Sequence, residues 1–202
     1  MTFGTLHLGP VIADFLDANR EIEVDLVLDD QFSDLFEDGF DVAIRIADLV
    51  DSSLIVRRLA PSRSVLCAAP DYLQRHGMPE TPDDLRRHNC FGYLYRDSGT
   101  DWTLNGAKGP VSIPLQGNLR ANNGEVLRHV ALAGTGIVAL PSFIVGDDLR
   151  TGDLVEFLPE CVPQTHSIHA VYPHRRHLTP KVRAFVDFLV TRFRPEPYWD
   201  MP

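Results

Sequence analysis

Apolar side chains recur at helical spacing near the start of the chain and alternate with acidic ones soon afterwards. A first helix is predicted, with an apolar face formed by Leu8, Val11, Ile12, Phe15 and Leu16. Thr2 or Thr5 suits its cap, and Pro10 lies within the pattern, so the helix either starts or bends there. Over residues 22–28 the apolar positions alternate with acidic ones, which predicts a strand with one solvated face.

The rest of the chain continues as strands alternating with helices. Strands are predicted at residues 41–46, 54–59, 63–69, 90–95, 102–104, 112–115, 154–158 and 167–172. Helices are predicted at residues 32–38 and 143–149, from Pro70 to Gly77, after Thr81-Pro82 and, as a long helix, after Thr179-Pro180. Asn105-Gly106 predicts a hairpin turn. Because helices alternate with strands, a mostly parallel α/β sheet is expected.

Residues 118–141 carry the most complete pattern in the chain. They predict a short strand, a tight Asn-Asn-Gly turn, an amphipathic helix, a glycine stop and an apolar strand over residues 137–140. Asn122 and Asn123 suit a turn or a helix cap. A strand that leads into a helix N-terminus leaves unpaired backbone N–H groups at the carboxyl edge of the sheet, where a small anion can bind. The alternative is an ordinary β-α-β core unit without a ligand.

Length, charge and cysteine content narrow the range of functions. The chain has 202 residues, 44% of them hydrophobic, which is enough for one or two cores. Its formal net charge of -9 argues against a nucleic-acid interface on this chain itself. The three cysteines form no CxxC pair and no disulfide framework, so a reducing cytoplasm is expected. Neither a secretory leader nor an apolar run of about 20 residues is visible, so a soluble protein without membrane contact is expected.

No catalytic, cofactor or metal motif stands out. Gly134-Thr135-Gly136 closes a helix, whereas a dinucleotide fingerprint opens one. Four histidines lie close together in the sequence, namely His166, His169, His174 and His177. A strand would send His166 and His169 to opposite faces, and no thiolate or carboxylate completes a ligand set. Surface histidines are the alternative interpretation, and neither a metal, a cofactor nor an enzymatic activity is predicted.

Several segments, taken together and in order, resemble one family along residues 4–193. They are GTLHLGPVIADFL, DLFEDGFDVAIRI, DSSLIVRRLAPSRSVLCAAPDYL, ANNGEVLRHVALAGTGIVALP and IHAVYPHRRHLTPKVRAFVDFL. Their joint order resembles the effector-binding domain of a LysR-type transcriptional regulator. Each segment alone is a weak signal, whereas their order is specific.

The resemblance implies an α/β fold of the type II periplasmic-binding-protein kind. In that fold, two Rossmann-like subdomains are joined by two crossing strands, and a small molecule binds in the cleft. The crossings would be residues 64–69 and 167–172. Subdomain I would comprise residues 1–64 and 170–202, and subdomain II residues 65–169.

The resemblance also implies positions for an effector site. Carried over residue by residue, the site would contain Thr2, Phe3, Ile46, Ala47, Ser53, Leu54, Asn122 and Asn123. These are strand ends and helix starts, where open α/β sheets bind ligands, and their donors suit a carboxylate or another small polar anion. For each residue the alternative is a cap or turn role.

The family further implies partners and a mode of regulation. The first helix and residues 22–28 would form a homodimer surface, with a tetramer in the intact regulator, and effector binding would change the angle between the subdomains. The family's N-terminal helix-turn-helix and linker helix are not among these residues, so DNA binding is expected only through such a domain. The family's first strand, Gly-x-Leu-x-Val-Ser-Ala-Pro, would also precede the first residue here, so subdomain I is expected either to lack its usual central strand or to fill that place with another segment.

Two other function classes compete with a regulatory domain. A free-standing solute-binding protein would need an export signal and would be monomeric. An enzyme on the same fold would need a catalytic acid or histidine, and the sequence nominates none.

Overall fold

A computed structural model describes residues 1–30, 39–47, 54–95, 101–163, 166–173, 179–193 and 197–201. The strands are β1 Ala43–Ala47, β2 Leu54–Ser62, β3 Ser64–Ala68, β4 Gly92–Tyr93, β5 Asp101–Gly106, β6 Gly109–Pro114, β7 Arg120–Ala121, β8 Val138–Pro141, β9 Val155–Glu156 and β10 His166–Pro173. The α-helices are α1 Gly9–Ala18, α2 Pro70–His76, α3 Gly124–Leu132, α4 Ser142–Thr151 and α5 Pro180–Phe193. A π-helical turn, Gly4–Leu8, precedes α1, and 3-10 helices span Pro82–Arg87, Pro159–Cys161 and Tyr198–Asp200.

The chain divides into two compact units. Unit 1 contains Met1, residues 3–62 and residues 166–201. Unit 2 contains residues 63–165 and, by its contacts, Thr2. The chain therefore enters unit 2 after β2 and returns to unit 1 at the start of β10.

Unit 1 contains a three-stranded antiparallel sheet in the order β1-β10-β2. The central strand, β10, buries Ile168, Ala170 and Val171 completely, because it has a neighbour on each side and apolar cover. The predicted long helix, α5, covers this unit with an apolar face, on which Val182, Val186, Leu189 and Phe193 are buried. The first helix contributes Val11 and Phe15 to the core, and it continues upstream of Pro10 as the π-helical turn.

The strand predicted at residues 22–28 is wrong. These residues follow α1 as irregular chain and belong to none of the sheets that the described residues form. Leu26, Val27 and Leu28 are exposed, Val27 to 64%. An alternating pattern marks residues that can pair in a sheet, but a strand also needs a neighbour that completes its hydrogen bonds.

The expectation of a mostly parallel sheet is also wrong for the described strands. Strand β3 pairs antiparallel with both β8 and β9, and β10 runs opposite to both of its neighbours. Among the described strands only β4 and β7 pair in parallel, beside a parallel bridge from Cys90 to Ile137. Consecutive helices and strands predict parallel crossovers when sequential strands are neighbours. Here β10 lies between two strands that are far from it in sequence.

Unit 2 has its own core around β3 and β8. Val65, Leu66, Cys67, Ile137 and Val138 are completely buried, as expected for strands covered on both faces. The β5–β6 hairpin adds Trp102, Leu104 and Ile113 to the same core. Its turn lies at residues 107–108, two residues beyond the predicted Asn-Gly pair, with Gly109 in the positive-φ conformation.

Local start and stop signals in unit 2 are confirmed. Helix α2 spans Pro70–His76, and Gly77, whose φ is 85°, is its C-cap. Thr81 and Asp84 form a capping box at the start of a 3-10 helix, where a helix was expected.

The helix predicted over residues 32–38 lies outside the described residues. In the described part of the chain, no helix is long and apolar enough to cross a membrane.

Candidate functional site

The carboxyl edge of the parallel pair β4–β7 is the candidate site in unit 2. The Leu94 N–H donates to the Ala121 carbonyl (3.0 Å) and continues the pairing by one residue beyond β4. Both strands then end together, which places Leu94 and Tyr95 beside Asn122 and Asn123. Polar groups at the ends of parallel strands are where open α/β sheets bind ligands.

A hydrogen bond links the two sides of this edge. Asn122 Nδ2 donates to the Tyr95 hydroxyl oxygen at 3.3 Å. Leu94 and Tyr95 are about half exposed. The pair therefore brings a phenolic hydroxyl, a side-chain amide and apolar surface together in one place. Such groups suit a small molecule with an anionic end and an apolar or planar body.

Asn123 is the N-cap of α3. Its Oδ1 accepts from the Glu125 N–H at 2.9 Å and from the Val126 N–H at 3.3 Å. The cap therefore occupies two of the N–H groups at the helix start, while the helix dipole still favours negative charge there. The predicted turn or cap role of Asn123 is confirmed, and that role is compatible with a ligand next to it.

A charged network holds α3 against α4. Arg128 makes a bidentate pair with Asp148, with Nε–Oδ2 at 2.5 Å and Nη2–Oδ1 at 2.6 Å, and its Nη1 lies 3.7 Å from Glu125 Oε2. The hydrogen bond to Asp148 raises the pKa of Arg128, against the opposing effect of burial. A bidentate arginine pair fixes orientation as well as charge. It therefore holds α3, and hence the capped turn before it, against α4.

A groove of about 600 Å³ lies next to the Arg128–Asp148 pair on unit 2. It is lined by Ala69, Pro70, Asp71, Arg128, Leu132, Asp148, Gly152 and Asp153. Its carboxylates outnumber its one cation, and that cation is committed to Asp148. The groove therefore lacks the character expected of an anion site, unlike the edge at Tyr95 and Asn122.

The predicted site residues of unit 1 are spread over two ends of its sheet. Ile46 and Ala47 pair with Ile168 and Ser167 at the start of β10. Leu54 pairs with Pro173 at the other end of β10. Six residues of strand separate these ends, which corresponds to about 20 Å. The structure therefore does not bring Ile46 and Ala47 together with Leu54, although they are close in sequence.

The remaining predicted residues lie at the start of the chain or outside the described residues. Thr2 and Phe3 begin the first helical segment, and both side chains are buried. The Phe3 ring packs against Phe193 and Trp199, so its side chain is part of the unit 1 core. Ser53 lies outside the described residues.

Sequence reasoning missed Tyr95 as a site residue and the Arg128–Asp148 pair that holds α3 against α4. Tyr95 was placed at the end of a predicted strand, and its partner Asn122 is 27 residues away, so no spacing rule connects them. Arg128 and Asp148 lie on different helices, 20 residues apart. The one signal for the Arg128–Asp148 pair in the sequence is the opposite charge of an arginine and an aspartate on two predicted helices.

The cysteines and histidines do not form a reactive or metal-binding group in the described residues. All three cysteines are buried, and burial raises the pKa of the Cys67 and Cys90 thiols to about 12. Such thiols are poor nucleophiles at neutral pH. No set of three or more His, Cys, Asp or Glu side chains could hold a metal ion within the described ranges. His174 and His177 lie outside these ranges.

Comparison with known families gives a match along almost the whole chain. The LysR substrate binding domain family matches residues 1–194. An uncharacterized HTH-type transcriptional regulator of Haemophilus influenzae is 37% identical over 182 residues, which is 89% of this chain and 62% of that protein. The HTH-type transcriptional regulator CrgA of Neisseria meningitidis serogroup B is 36% identical over 188 residues, with 92% and 62% covered. The chain thus spans about 62% of the length of these curated relatives.

Solved structures give the same result for the fold. The regulatory domain of CrgA, described as a LysR-type transcriptional regulator from Neisseria meningitidis, has a TM-score of 0.83 at 34% identity, covering 95% of this chain and 94% of that one. The full-length Vibrio cholerae virulence activator AphB has a TM-score of 0.82 at 28% identity, covering 94% and 64%. These likenesses confirm the α/β fold class of the type II periplasmic-binding-protein kind.

Proposed function

The chain belongs to the LysR substrate binding domain family, and from that premise we propose that it senses a small carboxylate or similar polar anion. The family consists of transcriptional regulators, so the expectation that the chain is not an enzyme is confirmed. A regulatory domain is likewise supported over a free-standing solute-binding protein, because the matching proteins are HTH-type regulators.

The polar edge at Tyr95 and Asn122 carries the proposal. It combines a hydroxyl, an amide and half-exposed apolar surface at the place where two parallel strands end and α3 begins. A carboxylate there would meet hydrogen-bond donors and the positive end of the α3 dipole. The body of the ligand would lie against Leu94 and Tyr95.

A contribution of the start of the chain and of unit 1 to the effector site is part of the same proposal. We expect the backbone at Thr2 and Phe3, whose side chains are buried, and the strand end at Ile46 and Ala47 to supply further contacts. Ser53 and Leu54 remain candidates from the family resemblance. The division into subdomains at residues 1–64, 65–169 and 170–202 also stays a prediction, with residues 64–69 and 167–172 as crossings.

The partners of the intact regulator are proposals too. The relatives are named HTH-type regulators and are longer than this chain, so we propose that DNA is bound through an additional helix-turn-helix domain. The acidic charge of -9 supports the view that this domain itself does not bind DNA. We further propose a homodimer of this domain, a tetramer of the intact regulator and a cytoplasmic location.

A thermal-shift titration with small carboxylates tests the proposal. The panel would contain benzoate, salicylate, succinate and malate, with glucose as an uncharged control. A ligand that binds only the folded chain raises the midpoint progressively with its concentration. The same titration with Asn122→Ala and Tyr95→Phe should give a smaller rise, whereas Arg150→Ala, an exposed change on α4, should leave it unchanged. A midpoint that no carboxylate moves in the wild-type chain would contradict the proposed ligand class.

A further inference from the structure

The segment after α5 packs onto the start of the first helix through a cluster of aromatic rings. This aromatic cluster consists of Phe3, His7, Phe193, Tyr198 and Trp199. The Trp199 ring lies 4.5 Å from His7, 5.7 Å from Phe193 and, edge on, 5.8 Å from Phe3, measured between ring centroids. Trp199 is only 5% exposed, so burial of this ring is a large apolar contribution from a short segment.

A polar contact joins the same two segments. His7 Nδ1 lies 2.5 Å from the Tyr198 hydroxyl, and His7 itself is buried. A buried imidazole without such a partner would lose a hydrogen bond that it makes in water. The hydroxyl of Tyr198 therefore satisfies His7, while the ring of Tyr198 stays half exposed.

The helix start that receives these contacts has an unusual backbone. Residues Gly4–Leu8 form a π-helical turn, and the Gly9 N–H donates to the Gly4 carbonyl, five residues earlier. Such turns are rare, and they occur frequently at functional sites. His7 lies within the π-helical turn and Phe3 directly precedes it. The aromatic cluster therefore includes one residue of the turn and the residue before it.

Tyr198 and Trp199 lie outside the part of the chain that the family match covers. The family match ends at residue 194, whereas Tyr198 and Trp199 come after it. The contact therefore depends on residues beyond the part of the chain that the family match covers.

We infer that residues 197–201 act as a clamp that fixes the π-helical turn, and that Trp199 and Tyr198 are positioning residues for effector binding. The second half of this inference rests on the proposed function, in which the backbone at Thr2 and Phe3 contacts the effector. The clamp keeps Phe3 in the core and thereby sets where the backbone of this first turn lies. Loosening the clamp lets the turn exchange between conformations, so effector affinity falls without any loss of an effector contact.

Amide hydrogen exchange of the full 202-residue chain tests the clamp without a ligand. Trp199→Ala should speed exchange of residues 4–9 by about tenfold or more, since local opening becomes easier there, while α3 in unit 2 keeps its wild-type rates. Trp199→Phe should restore most of the protection. Tyr198→Phe removes only the hydroxyl and should give a smaller, equally local increase. Met201→Ala, an exposed change in the same segment, is the matched control and should have no effect.

The ligand half is tested with the carboxylate that raises the wild-type midpoint most. Its apparent Kd should weaken by about tenfold in Trp199→Ala and stay unchanged in Met201→Ala. Unchanged exchange at residues 4–9 in both Trp199→Ala and Tyr198→Phe would overturn the clamp, as would a rise that extends equally to α3. Faster local exchange with an unchanged Kd would overturn the link to the effector. If no carboxylate binds the wild type, the proposed ligand class fails, and with it the proposed link between the clamp and effector binding. The exchange rates of residues 4–9 then test the clamp by themselves.

Discussion

The residues that define a helix or strand lie close to it in sequence in unit 2 and far from it in unit 1. In unit 2, caps and turns are close to the elements that they define, as with the Thr81–Asp84 capping box and the Asn123 cap of α3. In unit 1, the central strand β10 pairs with strands more than 100 residues away, and the first helix is held by Trp199. Local chemistry therefore specifies much of unit 2, whereas unit 1 depends on partners that are distant in sequence.

Removal of a fully buried leucine from each unit gives the largest expected effect. Leu59→Ala in unit 1 and Leu66→Ala in unit 2 should each lower the free energy of unfolding by about 3 kcal/mol, since each leaves a cavity. Urea unfolding followed by amide exchange should locate the Leu59 effect mainly in unit 1 and the Leu66 effect mainly in unit 2. Equal loss of protection in both units from either variant would show that the units unfold as one body.

Breaking the Arg128–Asp148 pair should have the next largest effect. Asp148→Ala leaves a partly buried guanidinium without its bidentate partner, so we expect a loss of about 2 kcal/mol after allowance for the partial exposure of Arg128. Asp147→Ala removes the neighbouring exposed pair with Arg150 and should cost less than about 0.5 kcal/mol. Urea denaturation measures both values. Similar losses from the two variants would contradict the role assigned to Asp148.

Loss of the α3 cap should cost about 1 kcal/mol. Asn123→Ala removes the acceptor for the Glu125 and Val126 N–H groups, whereas Asn123→Ser keeps a cap and should retain most of the stability. Thermal unfolding monitored by circular dichroism would compare the three chains. Equal stability of the alanine and serine variants would show that the cap has no energetic role.

His88 should make unit 2 sensitive to mild acid. Burial lowers the pKa of His88 from its ordinary value of 6.5, with further lowering by His76 and Arg87, and its Nδ1 lies 3.2 Å from the Tyr72 hydroxyl. Because the pKa of His88 is higher in the unfolded chain, the unfolded chain takes up this proton at a higher pH than the folded chain does. The stability that neutral His88 contributes is therefore fully present above pH 6.5 and is lost as the pH falls below it. His88→Gln should flatten the fall in stability as the pH drops below 6.5. A pH profile identical to that of the wild type would contradict this assignment.

Substitutions at the exposed end of residues 22–28 should have the smallest effect on folding. Val27→Ser should change the free energy of unfolding by less than about 0.5 kcal/mol, because its side chain already faces solvent. The same variant should weaken the proposed homodimer if that surface is used, which sedimentation at several concentrations would measure. A large loss of monomer stability would show that these residues do pair in a sheet.

The difference between local and distant partners explains which helices, strands and site residues could be predicted from the sequence. Helices with their own caps, such as α2 and α3, were predicted together with their boundaries, because a cap and its helix are adjacent. The strand at residues 22–28 was wrong, since its alternation says nothing about whether a neighbour is present. For the site, the cap role of Asn123 was predicted from its place before a helix. The Tyr95–Asn122 bond was not, because it joins two loops through the β4–β7 pairing.

We propose that an anionic effector binds at the Tyr95–Asn122 edge of unit 2 and also contacts Phe3, Ile46 and Ala47 of unit 1. Amide hydrogen exchange with and without the strongest carboxylate of the panel tests this most directly. We expect ligand-dependent protection at residues 2 and 122–127, which belong to unit 2, and also at residues 3–4 and 46–47 of unit 1. Protection confined to one unit, or protection only around the groove near Asp71 and Asp153, would contradict it.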